Sequence, residues 1–136
     1  MLHAGIGVSQ ARQTALVAAH LPIPNPVQII ALVDTGASCT CIDPTVLQSL
    51  QLTPTGSTPM NTPSTGPAPH LANQYDVSII IPGPGPGYPA FFSHTVPVVE
   101  SQLLSAQGFH ALFGRDILQH CLFIYNGTTG MFTLAY

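Results

Sequence analysis

Fourteen prolines and twelve glycines are spread through 136 residues, and this punctuation limits the fold more than any other feature. Proline breaks a helix interior and glycine weakens one, so the chain favours short strands joined by turns over long helices. Residues 13–20 and 27–33 read as two strands joined by Pro22-Ile23-Pro24-Asn25-Pro26. Residues 75–81 and 91–99 read as two more, joined by Pro82-Gly83-Pro84-Gly85-Pro86-Gly87, and 109–113 as another. A hairpin about Asn126-Gly127 joins 122–125 to 131–136. One short helix is expected at 45–50, with Asp43 as N-cap and Pro44 at the first helical position, and residues 117–120 allow a further helical turn. With 46% apolar residues the chain can build a core, and its length suits one all-β domain over 1–136.

Charge narrows the function. The chain holds two Arg, no Lys, four Asp and one Glu, a formal net charge of −3. Two cations cannot track a phosphate backbone, so no nucleic-acid partner is expected. Without lysine there is neither Schiff-base chemistry nor a P-loop. The alternating prolines of 82–87 lack the N–H groups of a phosphate cradle. No apolar run approaches the ~18 residues that span a bilayer, and residues 15–21 are too short and too interrupted for a signal peptide, so no membrane partner and a cytoplasmic location are expected. Three cysteines cannot all pair within one chain, which fits reduced thiols. Cys39 and Cys41 with His120-Cys121 lack a characteristic zinc spacing, and the histidines form no His-Glu-x-x-His, so no metal or other cofactor is expected. A metal-binding structural protein built on these cysteines is the weaker rival. Asn126-Gly127-Thr128 is a glycosylation sequon, but Asn-Gly is equally a hairpin turn.

The chemistry concentrates in two places. The apolar run 27–33 ends in Asp34-Thr35-Gly36-Ala37-Ser38, and about 80 residues on, Ala111-Leu112-Phe113 runs into Gly114-Arg115-Asp116. Asp34 stands at the mouth of a buried strand, where a carboxylate is costly unless it is hydrogen-bonded or protonated. Gly36 allows a sharp turn and close approach to another chain. A single aspartate cannot be general acid and general base in one step. Two such side chains across a two-fold axis can, because carboxylates ~3 Å apart cannot both ionise and the pair holds one proton.

In combination the two motifs resemble the retropepsin family of aspartic proteases, over roughly residues 13–125. The resemblance implies a retropepsin-like acid protease fold, a closed β-sheet core with one lobe per chain, and a homodimer that hydrolyses peptide or protein substrates through two Asp34 carboxylates. Thr35 would bond across the interface, and Gly36, Ala37, Ser38, Gly114 and Arg115 would support the site. The uncharged Thr/Pro/Gly-rich stretch 54–70 would be the flap that closes over substrate, its tip near Met60, Asn61, Thr62, Pro63, Ser64, Thr65 and Gly66. The turn 82–89 is the rival flap. Ser38 stands where many viral members carry an acid that pairs with the Gly-Arg arginine, so Arg115 is expected to bond Asp116 or a main-chain carbonyl instead. Asp116 itself reads as an acid in the first turn of a short helix. The same letters also fit a catalytically inactive, dimeric peptide-binding module.

Overall fold

The computed structural model describes residues 1–61, 67–68, 70–103 and 105–136. Among the described residues, nine strands and three short α-helices follow one another as β1 (Leu2–Val8), α1 (Gln10–Ala18), β2 (Val27–Val33), β3 (Cys41–Ile42), α2 (Pro44–Ser49), β4 (Gly56–Met60), β5 (His70–Ile81), β6 (Phe91–Glu100), β7 (Ala111–Phe113), α3 (Arg115–Leu118), β8 (Leu122–Asn126) and β9 (Met131–Ala135). Seven strands form one sheet in the order β1-β2-β7-β3-β6-β5-β4. Because β1 also pairs with β5, six of them close into a barrel and β4 hangs from its rim. The fold is all-β.

Inward-facing side chains fill the barrel. Ile6, Val8, Ile29, Ile42, Val77, Ile79, Val98 and Phe113 are almost fully buried, and Val46, Leu47 and Leu50 of the α2 segment join them. Each such side chain contributes roughly 1.5–3 kcal/mol on burial, so the barrel interior carries most of the stability. Strand β2 has Ile29 and Ala31 inside, but Gln28 is exposed and Ile30 and Leu32 are half-covered. It is therefore covered on one face, not on both as its apolar run suggests.

Two elements differ from the sequence pattern. Of residues 13–20, expected as a strand, 13–18 lie in helix α1 and 19–20 end it. Ser9 caps it by accepting from Arg12 N at 3.2 Å, and its interior is rich in Ala, Gln and Arg. It closes with His20 at φ 55° and with Leu21 N donating to Leu16 O, a left-handed stop. Only Leu16 of α1 is buried, so local propensity and capping, not an apolar face, fix it as a helix. The linker at 22–26 therefore joins a helix to a strand. Leu2–Val8, which the pattern leaves unassigned, is the central staple of the barrel, paired with β2 and β5. Its glycines leave room for side chains of the neighbouring strand. A Cβ at Gly5 would stand 2.7 Å from Ile80 Cγ2, and one at Gly7 2.7 Å from Ser78 Oγ.

Among the described residues, three short α-helices are present where one and a further helical turn are expected, and several other segments lie close to their expected places. Asp43 caps α2, its Oδ1 accepting from Thr45 N at 3.0 Å and from Thr45 Oγ1 at 2.7 Å. Helix α3 begins two residues before the turn expected at 117–120, and the β8–β9 hairpin forms with Asn126 paired to Met131, so its loop is 127–130 and Gly130 at φ 68°, not Gly127, takes the left-handed conformation.

Candidate active site

Strands β2 and β7, eighty residues apart in sequence, are parallel neighbours with Ala31 opposite Ala111 and Val33 opposite Phe113. The chain segments leaving their ends, Asp34-Thr35-Gly36 and Gly114-Arg115-Asp116, thus emerge side by side. Asp34 N donates to Phe113 O at 2.9 Å, continuing the ladder one residue beyond the strand. The carboxylate is half-buried, and its Oδ1 accepts from Gly36 N at 2.9 Å. Ala37 N donates to Asp34 O at 3.3 Å, which closes the turn. Thr35, Gly36 and Ser38 are exposed at its crest.

The Gly-Arg-Asp segment holds that turn from beneath. Arg115 Nη1 donates to Thr35 O at 3.0 Å and to Gly36 O at 3.2 Å, while Arg115 N donates to Ala37 O at 2.9 Å. The arginine thus finds main-chain carbonyls, one of the two partners expected when Ser38 replaces an acid. Gly114 must be glycine, because a Cβ there would stand 2.6 Å from Cys39 O and 3.1 Å from Ala37 O. Asp116 is a brace. Its Oδ2 accepts from Thr40 N and its Oδ1 from Thr40 Oγ1, both at 2.8 Å, and Oδ1 also accepts from Ile117 N at 2.9 Å. Thr40 is fully buried, and its hydroxyl accepts in turn from Gly114 N at 3.3 Å. This threonine escapes sequence reading, since nothing but a buried position marks it.

A second layer surrounds the loop. Cys41, Ala72 and Val99 form a small apolar cluster on which Cys39, Met60 and Leu112 pack. Burial, then the neighbouring Cys39 and more weakly Asp116 and Asp34, push the Cys41 thiol up to about 12, so it stays a neutral thiol at ordinary pH. Further out, burial disfavours an ionised Asp43, but bonds from the Thr45 hydroxyl, Thr45 N and Leu103 N, with His110 nearby, outweigh it and hold the carboxyl below its usual range. Asp43 N donates to His110 O, and His110 N to Ile30 O, so this cap is tied to β2 as well.

Strands β4 and β5 are antiparallel, running from Gly56 opposite Gln74 to Met60 opposite His70, and the connection between them is the stretch singled out as the flap tip. Met60 ends β4 against the Cys39–Cys41 cluster, and Asn61 is exposed. Thr62, Pro63, Ser64, Thr65 and Gly66 lie outside the described residues. The rival turn at 82–89 follows the other end of β5, a strand of 12 residues and hence ~40 Å. Val99 pairs with both Cys41 and Gln74, so it is the first half of β5 that runs near the Asp34 loop. Among the described residues, no group of three His, Cys, Asp or Glu side chains could hold a metal ion, and no helix is long and apolar enough to cross a membrane.

No protein-family profile and no curated protein sequence matches the chain. Among solved structures, the chain is similar to the retroviral protease-like domain of Ddi1 from Leishmania major, at 14% identity over 98% of this chain and 87% of that chain. The TM-score of 0.43 is too low for this likeness to carry the fold, which rests on the closed six-stranded barrel itself.

Proposed function

We propose that the chain is one half of an aspartic endopeptidase of retropepsin type, active as a homodimer. One observation carries the reading. A strand ending in Asp-Thr-Gly and a parallel strand ending in Gly-Arg lie side by side, with Arg115 bonded to two carbonyls of the aspartate turn. That linkage fixes the height and tilt of Asp34 while leaving Thr35 and Gly36 exposed for a second chain or a peptide.

Two Asp34 side chains within ~3 Å would share one proton. The ionised member takes a proton from water as the water oxygen bonds to the scissile carbonyl carbon. The other member gives its proton to the carbonyl oxygen, so the intermediate is a neutral gem-diol. The C–N bond then breaks, the nitrogen takes a proton, and the products are a carboxylic acid and an amine. Because only seven side chains of 136 are charged, the substrate subsites are apolar, and an extended peptide is held largely through its main chain. Met60 on β4, packed against the Cys41, Ala72 and Val99 cluster, supports 54–70 as the covering hairpin.

The test is hydrolysis of an unfolded protein at mildly acid pH by the wild type and by Asp34→Asn. Loss of at least about a thousandfold in rate is expected for the variant, within the range of removing a principal acid–base group. Equal rates would remove the aspartyl mechanism. A wild type that binds peptide but never cleaves it would leave a binding module on the same frame. A cleavage profile dominated by Lys or Asp at the scissile bond would contradict apolar subsites.

A further inference from the structure

Two thiols stand beside the aspartate turn with no task in the chemistry above. Cys39 lies in the bend that follows the turn and Cys41 opens β3, so Thr40 alone separates them. Cys41, with 5% exposure, is a buried member of the small apolar cluster with Ala72 and Val99, and half-buried Cys39 packs on that cluster. Side chains two residues apart on an extended chain share a side, and here the two sulfurs are within hydrogen-bonding reach of each other. All three cysteines of the chain are free thiols. The third, Cys121, follows α3 and its Sγ donates to Ile117 O at 3.6 Å.

The residue between the two thiols makes their state matter. Every polar group of Thr40 is engaged: its N and Oγ1 donate to Asp116, its Oγ1 accepts from Gly114 N, and its O accepts from Val99 N at 3.0 Å. The Cys39 carbonyl packs against Gly114, where any side chain would strike it. The cysteines therefore flank the point at which the Gly-Arg-Asp segment grips the aspartate turn. An extended chain rises ~3.3 Å per residue, so its Cα atoms two apart lie about 6.6 Å from each other, at the upper end of what a disulfide accepts. The Cβ atoms of a disulfide must close to roughly 3.5–4.5 Å. The chain does this only by bending further at Thr40, and such a bend pulls Thr40 off Asp116.

We propose that Cys39 and Cys41 form a reversible dithiol–disulfide pair, oxidised by peroxide, whose closure loosens the hold on the aspartate turn. Its effect on hydrolysis rests on the reading above, whereas the bridge itself does not. The Cys39 sulfur, the more exposed of the two, attacks one oxygen of hydrogen peroxide. The O–O bond breaks, and Cys39 becomes a sulfenic acid as one water leaves. The Cys41 sulfur then attacks the Cys39 sulfur. An S–S bond forms as the S–O bond breaks, and the departing hydroxide takes the Cys41 proton and leaves as a second water. Two thiols thus lose two electrons, and one peroxide is reduced to two waters. Burial makes Cys41 a poor thiolate, but its target sulfur is already held beside it, which favours the second step. Excess thiol reductant reopens the bridge by exchange.

The experiment treats reduced wild type, Cys39→Ser, Cys121→Ser and Asp34→Asn with hydrogen peroxide and compares each with its own untreated sample. Thiol blocking and peptide mass mapping read the bridge, amide hydrogen exchange reads the clamp, and peptide hydrolysis reads the site. Wild type and Cys121→Ser are expected to form the Cys39–Cys41 disulfide, with exchange at the Thr40 and Gly114 amides at least about tenfold faster. Their hydrolysis is expected to slow at least about tenfold, and dithiothreitol is expected to reverse both changes. Asp34→Asn is expected to bridge like wild type. Cys39→Ser is expected to form no bridge and to keep its exchange and rate. Peroxide that leaves both thiols free, carries Cys39 on to a sulfinic acid, or joins it to Cys121 or to a second chain would overturn the proposal. A bridge that leaves exchange unchanged, or leaves an active wild type at full rate, would overturn it too. So would an equal loss of rate in Cys39→Ser, which assigns the effect to methionine oxidation. Failure of the catalytic reading looks different: Asp34→Asn would hydrolyse peptide at full rate while the bridge and its exchange signature stand.

Discussion

The aspartate turn and the C-terminal hairpin are built on opposite principles. Polar bonds fix the turn: carbonyls of Thr35, Gly36 and Ala37 accept from Arg115, and Asp116 clasps a buried Thr40. The hairpin is held almost wholly by apolar contact on one face and is uncovered on the other. A group that must sit within a fraction of an ångström needs directional restraints, which hydrogen bonds supply and dispersion does not. The contrast teaches that this chain spends its scarce charge on geometry: Arg115 and Asp116, two of its seven charged residues, both serve the turn.

If the turn is held as described, its substitutions cost far more than those of the hairpin within one chain. Gly114→Ala is expected to have the largest effect, a loss of about 3 kcal/mol or outright misfolding, because the new methyl meets main-chain atoms that cannot move aside. Chemical denaturation checks it, and a near-neutral result would break the account of the brace. Asp116→Ala should lose about 2–3 kcal/mol, since it strips charged bonds from buried Thr40, while Asp116→Asn keeps some of them and should lose less. At the hairpin, Ile124→Lys should change the unfolding free energy of the single chain by no more than about 0.5 kcal/mol, as for other exposed positions. A large loss in a dilute, monomeric sample would erase the contrast.

A smaller effect concerns pH. The folded carboxyl of Asp43 titrates below its ordinary value of 3.8, so its contribution to stability is present above 3.8 and is lost as pH falls through the lower, folded value. Denaturant midpoints followed into strong acid should fall for wild type and fall less for Asp43→Asn. The raised Cys41 thiol acts at the other limb. Stability should decline as pH climbs above the ordinary 9.0 toward 12, and Cys41→Ala should flatten that decline. The smallest expected change is a gain. Gln51 at φ 53° ends α2 in a left-handed conformation, so Gln51→Gly should stabilise by a few tenths to about 1 kcal/mol by thermal melting.

Legibility in the sequence followed the range of the forces involved. The two motifs were readable because each is a local pattern, an apolar strand running into turn residues, whereas their adjacency is set by the parallel pairing of β2 with β7. Asp43-Pro44 announced a helix start for the same reason. Residues 13–20 misled because β-branched and apolar letters outweighed an N-cap at Ser9 that lies outside the window. Leu2–Val8 stayed hidden because its two glycines look like breakers, yet they are there to admit Ile80 and Ser78. Thr40 could not be found from letters at all, since its role exists only where two segments far apart in the chain meet.

The central claim is that Asp34 works as one member of a pair, and the distance between the two Asp34 carboxylates in a crystal of the assembled protein tests it most directly. The account predicts facing oxygens at hydrogen-bond distance, about 3 Å apart. An assembly that holds them too far apart for a single water to bridge would contradict it.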